Sequence, residues 1–235
     1  MTTDTDTTLT VHVDPGTIVI FSDLICPFAH VLVHRLHAAR QRFGLDELVR
    51  FDHRAFPIEL LGRAPGTRIG SDSEVPVLGA LEPDAGWQLW QGPDYHYPNT
   101  VLLAFEAVQV AKHQSLAASE QLDRALRRAF WQSSRPIHLH HEILDIAAYT
   151  EGVDVDRLDH GLQNGTARHA VFRDAAVAAS PAVAVSPHVF LPDGSDHANP
   201  GITVNWHGDW ARGFPVIDHD DPTVVDDLLR VASTR

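Results

Sequence analysis

The chain predicts an α/β fold, because a strand–helix–strand unit opens it, a long helical stretch fills its middle and strand character returns near its end. Thr17 to Phe21 is short, apolar and β-branched, which reads as a buried strand. From Phe28 to Phe43 the residues Phe28, Val31, Leu32, Leu36, Ala39 and Phe43 recur at helical spacing, and Gly44 supplies a stop. Leu48 to Phe56 reads as a second strand with Val49, Phe51, His53 and Ala55 on one face. This order implies a parallel pair of strands joined by a right-handed crossover.

Residues 62 to 98 are rich in Gly, Pro and Asp and carry Trp87, Trp90, Tyr95 and Tyr97. They read as a covering segment or as short helices, with the aromatic rings either lining a substrate pocket or capping the core. From Asn99 to Ala179 the pattern is helical, over Thr100 to Gln114, Ser119 to Gln132, Leu139 to Thr150, Val155 to Asn164 and Ala167 to Ala179. Strand character returns at Val183 to Leu191, a turn falls at Pro192-Asp193-Gly194, a further strand covers Gly201 to Trp206, and a last helix covers Pro222 to Ala232. The expected organisation is a flexible tail over residues 1–16 and an α/β unit built from residues 17–61 and 180–235. Residues 62–179 form a large insertion of loop and helices.

Composition narrows the function. A chain of 235 residues buries a substantial core without metal or disulfide staples. Its net charge of -13 argues against general nucleic-acid binding, which needs a basic surface. No apolar run approaches the roughly 20 residues that a membrane helix needs. Met1 to Thr10 is polar and acidic with no apolar core of a signal peptide, and the single cysteine excludes an intramolecular disulfide, so a cytoplasmic protein is expected. The oligomeric state stays open, a homodimer included.

That cysteine, Cys26, stands between the first strand and the first helix in the run Asp23-Leu24-Ile25-Cys26-Pro27-Phe28-Ala29. Pro27 suits the first helical turn, so the sulfur is expected at an exposed helix mouth, where unpaired N–H groups favour a thiolate. The alternative is an inert buried thiol. His30 and His34, one turn apart, either line the mouth of this site or face solvent, and a cationic ring there would lower the thiol pKa. Asp23 would raise it and is not an activator.

Strand, Cys-Pro-aromatic helix start, second strand, helical insertion and a strand preceded by Val185-Ser186-Pro187 together resemble the DsbA-like branch of the thioredoxin superfamily. Asn99-Thr100, Ser186-Pro187-His188-Val189-Phe190 and Asn199-Pro200-Gly201 add to the likeness. The resemblance implies a thioredoxin-like fold with a large helical insertion and a reactive Cys26. Pro27, Phe28, Ala29, His30, Ser186, Pro187 and His188 would lie around the sulfur, with Ser186-Pro187 at the place of a cis-proline loop. The family motif is Cys-Pro-aromatic-Cys, and here Ala29 replaces the second cysteine. A mixed disulfide on Cys26 would then need an outside thiol to clear it.

The resemblance therefore implies a monothiol oxidoreductase or thiol transferase. It would exchange or transfer thiols with a small-molecule or protein partner, taking a small-molecule or thiol substrate, with no bound cofactor and a low-molecular-weight thiol as co-substrate. The chain also looks like the kappa-class glutathione transferases and 2-hydroxychromene-2-carboxylate isomerases, which implies a second scheme: reversible addition of Cys26 to a conjugated carbonyl compound, rotation and elimination. A non-catalytic binding protein on the same scaffold is the third reading. His138, His140, His141 and Glu142 resemble a metal cluster in spacing, but no second motif supplies further ligands, and a solvated helix end is expected with no metal site.

Overall fold

A computed structural model describes residues 11–61, 67–209 and 212–234. The first ten residues of the expected tail, and residues 62–66 of the expected covering segment, lie outside the described residues. Strand β1 (Thr17–Ser22), helix α1 (Pro27–Arg42) and strand β2 (Arg50–Ala55) form the expected unit, with β1 and β2 parallel and paired from Thr17–Arg50 to Ser22–Ala55. A short strand, His188–Phe190, lies antiparallel on the other side of β1, and Asp196–Ala198 pairs with its far edge. The predicted strand from Val183 is shortened because Pro187, which lacks an N–H, sits in the approach to it.

The segment after β2 departs most from expectation, since Arg68–Leu81 is a helix, α2. Gly70, Pro76 and Gly79 disguise it as loop, whereas Thr67 caps it by accepting from Gly70 N–H at 3.1 Å. Single turns at Pro83–Ala85 and Asp94–His96 complete this region. Its rings cap the core: Trp90 packs against Tyr97 and Phe130 with centroids 5.3 and 5.6 Å away, while Tyr95 is exposed. The predicted helices follow as α3 (Leu102–Lys112), α4 (Leu116–Ser133), α5 (His140–Ala148), α6 (Val155–Gln163) and α7 (Arg168–Ala178).

With those helices placed, the two short strands after α7 become β3 (His188–Phe190) and β4 (Asp196–Ala198), giving a sheet of order β2-β1-β3-β4. A separate hairpin of β5 (Ile202–His207) and β6 (Phe214–Asp220) follows, and α8 (Val224–Ser233) ends the fold. β6 escapes sequence reading because its run, Phe-Pro-Val-Ile-Asp-His-Asp, buries little beyond Pro215.

Helices α1 and α8 cover one sheet face through Leu32, Leu36, Leu228 and Leu229 against Ile18, Ile20 and Val189. Val19, Phe21 and Phe190 occupy the other face with Val13, Phe56 and Val183. The insertion has its own core, in which Leu122, Leu126 and Phe130 of α4 meet Ala104, Ala107 and Val108 of α3. The insertion also covers the free edge of β2. Glu120 accepts from Phe51 N–H at 3.0 Å, Gln109 and Lys112 donate to the His53 carbonyl at 3.1 and 2.7 Å, and Asp174 accepts from Ala55 N–H at 3.1 Å. These side chains satisfy ladder groups that a neighbouring strand would otherwise take.

Candidate active site

Cys26 is the N-cap residue of α1, in extended backbone with φ -83° and ψ 119°, and Pro27 occupies the first helical turn. Proline fits there because its missing N–H falls where the helix has no acceptor to offer. The Ser186-Pro187 peptide bond is cis. The Cys26 Sγ–H donates to the Ser186 carbonyl at 3.3 Å, and Asp23 N–H donates to Ser186 Oγ at 2.8 Å, so one serine holds both ends of the turn that carries the thiol. The structure thus brings Cys26, Pro27, Ser186 and Pro187 together. Ala29 is fully buried on α1, and Phe28 turns to a cluster with Val31, Leu78 and Ile202.

The expected exposed thiolate is corrected by this geometry. Cys26 is only 8% exposed, and burial pushes its thiol up to about 11, with Glu74 and Asp23 adding to the rise. The Ser186 hydroxyl and the Ala29 N–H act the other way but have smaller effects. Desolvation of a charged sulfur outweighs the helix terminus here, so the resting group is a protonated thiol.

Two buried carboxyl groups belong to the same neighbourhood. Asp23 accepts from Ile25 N–H at 2.9 Å and Ile58 N–H at 3.1 Å, and burial, with Glu59 adding, raises it to about 7. Glu74, on the α2 face that also carries Val75 and Leu78, is raised to about 8 by burial. Glu74 escapes notice in the sequence because Pro76, Gly70 and Gly79 hide its helix.

Beneath the turn lies Arg127 of α4, 1% exposed, which pairs with Asp123 at 2.7 Å. It also donates to the Asp23 carbonyl and to Ser22 Oγ, both at 2.7 Å. Arg127 is thereby the support on which the Cys26 turn rests. A signal existed in the sequence: Asp123 and Arg127 stand four apart on the apolar stripe of Leu122, Leu126 and Phe130.

The histidines do not activate the sulfur. His30 is buried, donates from Nε2 to the Ala85 carbonyl at 3.1 Å and meets Trp87 edge-on at 4.8 Å; burial drives its pKa down to about 3, so its ring is neutral rather than cationic. His34 is held low by burial and lies 3.8 Å from Glu82. His188 accepts from Ala184 N–H at Nδ1 and donates from Nε2 to Asp196 at 2.7 Å. It stacks on Phe190, on the sheet face opposite α1, which places its ring away from the helix that bears Cys26. His140 pairs with Asp159 and Glu142 with Arg135, and no grouping of metal-ligating side chains occurs among the described residues. No helix among the described residues is long and apolar enough to cross a membrane.

Residues 17–205 match the family model described as DSBA-like thioredoxin domain. No curated protein sequence matches the chain. Among solved structures it is similar to a probable DsbA oxidoreductase from Streptomyces coelicolor, at 19% identity and TM-score 0.60, over 77% of this chain and 82% of that one. It is also similar to the cytosolic disulfide reductase DsbM from Pseudomonas aeruginosa, at 14% identity and TM-score 0.60, over 77% of this chain and 87% of that one. The same reductase solved with GSH aligns at 12% identity and TM-score 0.58, over 75% of this chain and 86% of that one. At these identities the likeness to solved structures carries the thioredoxin-like fold with its helical insertion and nothing finer.

Proposed function

The chain belongs to the DSBA-like thioredoxin domain family, and from that premise we propose that Cys26 is the nucleophile of a monothiol exchange reaction whose second thiol comes from a small molecule. The observation that carries this reading is a lone sulfur at a helix N-cap, against the Ser186 carbonyl that precedes the cis Pro187, with alanine where a resolving cysteine would stand. The Cys26 thiol loses its proton and attacks one sulfur of a disulfide, so that a Cys26–S–S–R bond forms and the other half leaves as a thiolate that takes up a proton. An external thiol then attacks the R sulfur, its proton passes to the departing Cys26 sulfur, and a new small disulfide leaves. No net charge or electron is left on the protein. The reductase solved with GSH supports a small thiol in this role.

Incubation with glutathione disulfide at about pH 8 should add one glutathione to the wild-type chain by intact mass, none to Cys26→Ser, and added glutathione should remove it. Absence of the adduct after prolonged incubation would overturn the exchange reading. Ala29 favours one second scheme, the redox-neutral isomerisation of a conjugated carbonyl compound through addition to Cys26, since that cycle needs a single sulfur. A panel of Z-enones assayed with and without external thiol separates it from exchange.

A further inference from the structure

Helices α3 and α7, with the segment leading into α5, line a half-open cavity of about 300 Å³. Its walls include Leu102, Leu103, Val171 and Phe172. Three polar side chains converge on it, Glu106, His138 and Arg168. Glu106 is 4% exposed, and its Oε2 accepts from Arg168 Nε at 3.1 Å. Its Oε1 is fully buried and has no hydrogen-bond partner among the described residues, and the same holds for His138 Nδ1. Glu106 and His138, each with a buried unpaired polar atom, thus both belong to the lining of one largely apolar cavity, and such atoms are costly unless a ligand meets them.

We propose that this cavity binds a small, uncharged aromatic alcohol, a phenol in the simplest case. The Glu106–Arg168 pair balances charge within the site, so an ammonium meets Arg168 and a carboxylate meets Glu106 unfavourably, while a neutral group meets neither. A hydroxyl donates to Glu106 Oε1 and, when the imidazole proton sits on Nδ1, accepts from His138. The volume is at the small end of ligand sites and suits one ring set against Val171 and Phe172.

At the rim, Thr100 Oγ1 donates to Glu59 at 2.9 Å, and the neighbouring Ile58 N–H holds Asp23, so the cavity lies at the end of the sheet that carries Cys26. The proposal stands apart from the chemistry of the thiol, and Cys26→Ser should bind as the wild type does.

The test is a fluorine NMR titration of the full chain with 4-fluorophenol and its methyl ether, 4-fluoroanisole, which lacks the donor. We expect saturable binding of the phenol, with the ether about tenfold weaker. Glu106→Gln should weaken the phenol about fivefold and narrow its margin over the ether, and Phe172→Ala, at a half-exposed position, should weaken both probes. Non-saturable phenol binding, equal affinity for both probes in the wild type, or phenol affinity unchanged by both substitutions would overturn the proposal.

Discussion

Arg127→Met is expected to destabilise the protein by about 3–5 kcal/mol, because it removes one partner of a buried ion pair and strands the other. Arg127 and Asp123 are 1% and 3% exposed at their side chains, and His53, whose ring lies 3.4 Å from Asp123, is neutral because burial drives it down to about 4. Of the other groups that hold Asp123 low, Lys112 is already paired with Asp52 and His53 would first have to gain a proton, so the orphaned carboxylate is only partly compensated. The same change removes the donors to Ser22 Oγ and the Asp23 carbonyl. Urea unfolding monitored by circular dichroism gives the loss, and a value below about 1 kcal/mol would show that the pair is dispensable. The double change Arg127→Met with Asp123→Leu should recover part of the stability, since it leaves no unpaired charge.

At about pH 7.5, alkylation of Cys26 by iodoacetamide should run at least one hundredfold slower than alkylation of free cysteine. The thiolate reacts, and a group raised to about 11 exposes far less of it at that pH than one with the free value of about 8.5. The rate should climb roughly tenfold per pH unit from about 7 to 10 with no plateau in that range. Glu74→Gln should accelerate labelling only above about pH 8, where the wild-type carboxyl is ionised and repels the developing thiolate. A plateau near pH 7 to 8 would mean that the sulfur is stabilised as a thiolate in solution, against the burial seen here. The glutathione adduct experiment reads directly whether this slow resting thiol still exchanges with a disulfide.

The strand–helix–strand start was legible because Ile18 and Ile20, and then Leu32 and Leu36, carry clean periodicities of two and four toward one core. The place of Cys26 at a helix start was equally plain from Pro27. Its protonation was not, because local sequence reports the helix terminus while the dominant effect is desolvation by burial in the folded chain, with charge from Glu74 of α2 adding to it. Helix α2 was lost for a similar reason: Pro76 and two glycines lower its intrinsic propensity, and burial of Val75 and Leu78 against the rest of the fold overrides that local preference. The cluster of His138, His140 and His141 shows the converse, a suggestive spacing in which His140 turns to Asp159 while His141 stays beside Glu142.

The covered edge of β2 bears on how the molecule comes apart. Its amides at Phe51 and Ala55 are held by carboxylates of α4 and α7, so solvent reaches them only when the insertion lifts away. Their hydrogen exchange should therefore slow to the rate set by whole-molecule unfolding, and heat or denaturant should dismantle sheet and insertion in a single cooperative step. A chain with the helices excised would carry a bare strand edge ready to recruit another chain. In this protein the insertion serves the sheet as the missing neighbouring strand.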